Sequence, residues 1–245
     1  MSIQQNEDQT RERIHASADE HVERHQGFST MSSGGFSHWE RHYEATEELK
    51  QDDGNVRLNS EVHRFQEDTS TDAYAIVSWG EMGGGYLSGV NPGVRNSELT
   101  LEHDWESNAD MEFDSRYPTS NVTGTQTESW SASISLPFGV TATGGESYSQ
   151  PNVQTYDESN PWNNLGKWRV DIDSTHTKRY TAQVNPGSTA QVDRDDCIDP
   201  PMYGPTQPVA TVRVDAEFKD TMAPSYTPRY TKSLYSVLND VPFEC

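Results

Sequence analysis

The residues best suited to chemistry are histidines and carboxylates. His21-Val22-Glu23-Arg24-His25 and His38-Trp39-Glu40-Arg41-His42 repeat one pattern. Imidazoles four residues apart share one face of a helix and hold a metal when a third ligand joins them. In zinc peptidases the glutamate directly follows the first histidine and acts as base; here it sits one position later. The alternative is a set of solvated histidines on a polar segment, titrating near pH ~6.5. Asp193, Asp195, Asp196 and Asp199 form an acidic loop that suits either Ca²⁺ or solvent. Gly83-Gly84-Gly85 lacks the spacing and the lysine of a phosphate loop, and a turn beside a strand explains it. No serine stands in a nucleophile-elbow context, and Cys197 has no neighbouring histidine to activate it. Carboxylate pairs suited to glycoside hydrolysis are not identifiable without distances. The expectation is a protein that is not an enzyme, with no catalytic residue, resident metal or cofactor assigned. Asn121-Val122-Thr123 matches the glycosylation sequon, which matters only in an exported protein.

Composition bounds the elements that carry these residues. The 245-residue chain has 39 Asp and Glu against 18 Lys and Arg, a net charge of −21, and only five lysines. Such a field repels phosphate backbones, so nucleic acid is not expected as a partner, and anionic lipid is approached only where salt screens the charge. The carboxylate excess, scarce lysine and 31% hydrophobic content resemble proteins of halophilic archaea, with an ordinary acidic protein as the alternative. Eleven Tyr and six Trp suit a thin aromatic core between stacked sheets better than a large helical core. Cys197 and Cys245 fit no zinc spacing; a disulfide tying the tail to the loop near Cys197 and two free thiols are both open. No run approaches the ~20 apolar residues of a membrane helix, and the first thirty residues are too polar for a signal peptide. An extracellular or cell-surface location therefore implies another export route or a leader already removed, with the chain itself in soluble form.

The expected fold class is all-β: a β-sandwich over residues 36–245 with a polar, mobile or loosely helical arm over residues 1–35. Phe36, Trp39 and Tyr43 follow helical spacing, while Trp39, Tyr43, Ala45 and Leu49 share one strand face. The Asp53-Gly54 pair favours a hairpin whose second strand runs near Val56 to Phe65. Further short strands are expected around Tyr74–Trp79, Leu99–Trp105, Trp168–Ile172, Tyr180–Val184 and Ser233–Leu238. Ala210, Val212, Val214, Ala216 and Phe218 alternate with Thr211, Arg213, Asp215 and Glu217, one face in and one face out.

A second alternation, over 119–150, is of another kind. Thr119, Thr123, Thr125, Thr127, Ser129, Ser131, Ser133, Ser135, Thr141 and Thr143 recur on odd positions. Trp130, Ala132, Ile134, Leu136, Phe138, Val140 and Ala142 occupy the opposite face. Reversal about Pro137 places Ile134 opposite Val140, Ala132 opposite Ala142, Trp130 opposite Gly144 and Glu128 opposite Glu146, so carboxylates bound an uncharged ribbon. A hairpin entering a bilayer requires an uncharged outer face and a wettable inner one, and closure of several into a barrel satisfies every backbone group. Trp130 to Leu136 rises about 23 Å, near the apolar band of about 25 Å once the tip is counted. The same period also describes a strand pair packed permanently on a sandwich.

The alternating segment, then Ser147-Tyr148-Ser149-Gln150, Tyr156 and Lys167-Trp168-Arg169-Val170, resembles the stem region and following strand of leukocidin-type β-barrel pore-forming toxins over residues 119–172. Aerolysin-like proteins share the Ser/Thr alternation. The resemblance implies a sandwich that forms a homo-oligomer on activation, with a lipid membrane as partner. Its stem would then face lipid through Trp130, Ala132, Ile134, Leu136, Phe138, Val140 and Ala142, with Ser129, Ser131, Ser133, Ser135, Thr141 and Thr143 lining the pore. The other reading is a binding or structural β-sandwich of a halophile: a surface, virion or carbohydrate-binding module.

Overall fold

The computed structural model describes residues 39–65, 71–85, 91–105, 111–119, 122–124, 130–133, 141–144, 153–172, 181–193, 207–222 and 229–240. The arm at residues 1–35, the pair His21/His25, Cys197, Cys245, and Asp195, Asp196 and Asp199 of the acidic loop lie outside these residues.

Among the described residues the fold is an all-β sandwich of two six-stranded antiparallel sheets with a separate two-stranded ribbon. The first sheet contains β1 (Trp39–Gln51), β2 (Gly54–Phe65), β3 (Thr71–Gly84), β5 (Glu112–Tyr117), β11 (Thr181–Val184) and β12 (Gly187–Asp193). Its order is β1-β2-β3-β12-β5, and β11 shares the β12 side of β3. β11 covers Gly80–Gly83 and β12 covers Thr71–Val77. Asn185 and Pro186 fill the gap, where the Ser78 amide donates to the Pro186 carbonyl at 3.1 Å. A proline has no ladder N–H to give, so the strand breaks there while its carbonyl keeps the sheet continuous.

The second sheet contains β4 (Val94–Trp105), β6 (Val122–Gly124), β9 (Val153–Asp157), β10 (Leu165–Ile172), β13 (Gln207–Asp220) and β14 (Arg229–Asp240). The order is β14-β13-β4-β10-β9-β6. Between the sheets lie Leu58, Val62, Tyr74, Ile76 and Met82 from the first, and Leu99, Leu101, Trp105, Trp168, Val212, Val214 and Phe218 from the second, all buried. At about 1.5–3 kcal/mol per large side chain, this layer dominates the stability of the fold. The alternation expected in 210–218 is observed: Ala210, Val212, Val214, Ala216 and Phe218 are fully buried, while Arg213 is exposed and Thr211, Asp215 and Glu217 are half-buried. Those outer positions carry ion pairs, Arg213–Asp215 at 2.9 Å and Lys219–Glu217 at 3.5 Å, as does Lys167–Glu102 at 2.9 Å on neighbouring strands.

Several local expectations shift. The first hairpin turns through Asp52-Asp53, one residue earlier than the Asp53-Gly54 pair suggested, and Gly54 opens β2 opposite Gln51. The glycine answers a packing need, because a Cβ there would stand 2.5 Å from the Phe218 ring. The helical alternative for the Trp39–Tyr43 region does not hold, since Trp39–Gln51 is strand. His42 falls where the register passes from Arg41↔His63 to Tyr43↔Val62, so no helix face presents it with a partner four residues away. Gly83 and Gly84 end β3 opposite Asn55 and Gly54 and are not themselves a turn. At Gly84 the backbone passes so close to β4 that a Cβ would lie 2.9 Å from the Val94 carbonyl.

Candidate functional site

The alternating segment contributes β7 (Trp130–Ser133) and β8 (Thr141–Gly144). They pair as Trp130↔Gly144, Ser131↔Thr143, Ala132↔Ala142 and Ser133↔Thr141. This is the register that reversal about Pro137 requires. In this register Trp130, Ala132 and Ala142 fall at positions of one parity, and Ser131, Ser133, Thr141 and Thr143 at positions of the other. Among the described residues the ribbon joins neither large sheet by ladder hydrogen bonds, and β7 runs beside β5 and β12 at the edge of the first. Ile134, Ser135, Leu136, Phe138 and Val140, with Ser129, lie outside the described residues. From Ser129 to Gly144 no residue carries a charge, in a chain of which 23% is Asp, Glu, Lys or Arg.

A second feature, which the sequence reading passed over, is the tip joining β9 to β10. Asn160 and Leu165 exchange backbone hydrogen bonds of 2.7 and 3.1 Å, closing a loop whose centre is a 3-10 turn, Pro161–Asn163. Pro161 supplies the φ that the first turn needs, and Asn164 ends it in the left-handed region at φ 54°, which asparagine tolerates. Asn164 also fastens the tip to the body: its Nδ2 donates to the Met111 carbonyl at 2.6 Å, its Oδ1 accepts from the Phe113 amide at 3.2 Å, and its carbonyl accepts from the Trp105 amide at 3.0 Å. On this braced tip Trp162 is 96% exposed. The signal was present in the sequence as an indole set among proline and asparagines, Asn160-Pro161-Trp162-Asn163-Asn164.

The outer face of the first sheet is also buried around β3. Tyr74, Ile76 and Met82 point to the core, and the alternate positions Ala73, Ala75, Val77, Trp79 and Glu81 are buried as well. Across the strands Trp79 is flanked by Asn59 of β2, and Glu81 by Arg57 of β2 and Gln183 of β11. One row away His63 Nε2 meets Glu61 Oε2 at 3.1 Å, both side chains almost wholly buried. Burial pushes the Glu81 carboxyl up to about 7, with Arg57 opposing and Glu48 adding to the shift. In the core, His103 Nδ1 and Trp105 Nε1 both meet Ser188 Oγ, at 2.8 and 3.0 Å, and the imidazole stands edge-on to Trp168. Burial alone lowers the His103 pKa to about 3, so the ring is neutral. This serine and histidine are fully enclosed and brace the two sheets; no substrate reaches them. Among the described residues no three His, Cys, Asp or Glu side chains gather as a metal site.

No family model matches this chain, and no curated protein matches it. Among solved structures, the chain is similar to Clostridium perfringens delta-toxin at 9% identity, over 83% of this chain and 93% of that one, with a TM-score of 0.44. It is also similar to a pore-forming protein at 11% identity, over 79% and 88% of the two chains, with a TM-score of 0.39. Both TM-scores are below 0.5, a likeness too distant to place any residue.

Proposed function

We propose that this chain is a salt-adapted, β-pore-forming-like protein that oligomerises on a lipid membrane and inserts the hairpin 129–144. The observation that carries the reading is the β7–β8 ribbon: an unshared two-stranded unit, uncharged throughout, in the register that separates an apolar face from a hydroxyl face. Trp130, Ala132, Ile134, Leu136, Phe138, Val140 and Ala142 would meet lipid, and Ser129, Ser131, Ser133, Ser135, Thr141 and Thr143 would meet water in the lumen. Burial of the large apolar members supplies about 1.5–3 kcal/mol each before ordering costs. A lone hairpin leaves two open edges in hydrocarbon, so insertion demands several copies and a closed barrel. This function places the protein outside the cell or at its surface, and molar salt there would screen the charge of −21.

The test is dye release from liposomes in molar salt, with the wild type and Ile134→Asp compared. The expected result is leakage accompanied by SDS-resistant rings for the wild type, and none for the variant, which keeps its folded circular dichroism spectrum. Absence of leakage from neutral and archaeal-type lipids, with the protein still monomeric, would overturn the reading and leave a binding sandwich in its place.

A further inference from the structure

The chain leaves the second sheet and returns to it at one place. Gly124 ends β6 opposite Val153, which opens β9, and Thr123↔Gln154 and Val122↔Thr155 continue that ladder. β7 and β8 lie between these two strands in sequence, so the ribbon is nested inside the β6–β9 pair. This root is well held on its β9 side. β9 pairs with β10 from Val153↔Ile172 to Asp157↔Trp168, Thr155 is buried, and Asp157 accepts from Arg116 Nε of β5 at 2.9 and 3.1 Å.

Root and ribbon nevertheless stand in different registers. Every β6–β9 pair joins an even-numbered position to an odd one, whereas every β7–β8 pair joins two positions of like parity. Carried on unbroken from Gly124↔Val153, the root ladder would set Trp130 opposite Ser147 and Ala132 opposite Gly145; the ribbon sets them opposite Gly144 and Ala142. The offset is three residues, because the chain goes out through 125–129 and comes back through the longer 145–152. Its being odd matters, since positions alternate between faces along a strand and an odd slip exchanges them. In the unbroken register the apolar positions of one strand would pair with hydroxyl positions of the other, Ile134 with Thr143 among them. The sorting of apolar from hydroxyl positions therefore demands a step in the ladder between body and ribbon. The longer connection contains Gly145 and Pro151, and a proline has no N–H to give a ladder.

We propose that this three-residue register step is a conformational device that uncouples the β7–β8 ribbon from the second sheet, so that the ribbon moves as one hairpin while β6 and β9 stay paired. The use of the device rests on the pore-forming reading, which it deepens by naming what stays fixed and what moves. Its existence is tested without a membrane.

The experiment is hydrogen exchange, read by mass spectrometry, on the full chain in molar salt. Deletion of 147–149 equalises the two connections and brings root and ribbon into one register. Insertion of three glycines after Gly124 removes the offset from the other side. Deletion of both 125–127 and 147–149 shortens the connections and keeps the offset. In the wild type, peptides from 130–144 exchange ahead of those from β10 and β13, because a two-stranded unit is marginal by itself. Removing the offset by either route slows that exchange by about tenfold, as the ribbon becomes part of the root ladder, and the double deletion keeps the wild-type rate. Unchanged exchange in the offset-free variants overturns the proposal, as does equal slowing in the double deletion or a wild-type ribbon as protected as β10. If the deletion of 147–149 fails to fold, the insertion decides. In dye release from liposomes, the offset-free variants lose activity and the double deletion retains it. A wild type that releases no dye overturns the pore reading alone, and the exchange rates still judge the step.

Discussion

At the scale of single residues, two buried titrating groups give the fold a pH dependence of opposite signs. Glu81 has its folded pKa raised from 4.5 to about 7 by burial, so its contribution to stability is full below pH 4.5 and is lost as pH rises through about 7. His103 has its folded pKa lowered from 6.5 to about 3, so its contribution is full above pH 6.5 and is lost as pH falls towards 3. Between pH 4.5 and 6.5 the two slopes oppose each other, each approaching about 1.4 kcal/mol per pH unit at its steepest. Glu81→Gln should therefore lose stability more steeply than the wild type as pH is lowered across that window. His103→Asn, which can keep a hydrogen bond to Ser188 Oγ, should instead gain stability relative to its own value at neutral pH. Urea unfolding at fixed salt over a pH series measures both slopes, and parallel curves for all three proteins would refute the assignment.

At the scale of elements, the ribbon and the large sheets are held by different means. β13 lies between β4 and β14 and buries one face completely, so its register is fixed by the core as well as by the ladder. Among the described residues β7 and β8 have only each other as ladder partners, and their register rests on the cross-strand pairs from Trp130↔Gly144 to Ser133↔Thr141. Ala132 and Ala142 face each other directly, within the separation that a disulfide spans. Ala132→Cys with Ala142→Cys, in a background where Cys197 and Cys245 are serine, should cross-link fully under mild oxidation, as mass spectrometry of the peptides will show. Ala132→Cys with Val140→Cys, displaced by two residues, should not. Because a hairpin keeps its internal register on insertion, the cross-linked protein should still release dye; inhibition that reduction reverses would mean that the two strands separate.

For the whole molecule, the proposed salt adaptation is tested through its charge. The formal charge of −21 means that the Debye length decides how far its carboxylates repel one another: about 3 Å at 1 M and about 30 Å at 0.01 M. Part of that charge is already compensated on the outer face of the second sheet, where Lys167, Arg169, Arg213 and Lys219 are each paired with carboxylates. Arg169 alone meets Glu158, Glu98 and Asp171, which raises its own pKa further above the ordinary arginine value. Dialysis from molar to millimolar salt should expand the chain and reduce its β signal, read by small-angle scattering and circular dichroism. An unchanged profile would remove the case for salt adaptation and leave an ordinary acidic sandwich.

The sequence by itself determined the fold class, the positions of many strands though not of β5 or β12, and the faces of β13, because a period of two between buried and solvated positions is a direct consequence of strand geometry. It also anticipated the pairs described in the ribbon, of which Trp130↔Gly144 and Ala132↔Ala142 are two. Only the tertiary structure decided what long-range contacts control. Gly54 reads as a turn glycine until Phe218, far along the chain, is seen to fill the space of its missing Cβ. The run Ala73 to Trp79 lacks alternation because both faces of β3 are covered, so its outer row of Asn59, Trp79 and Glu81 had no local signature. Trp162 counts as one more core aromatic in the composition; its exposure follows from a turn pinned by Asn164 to residues about fifty positions earlier, a contact that no local pattern encodes.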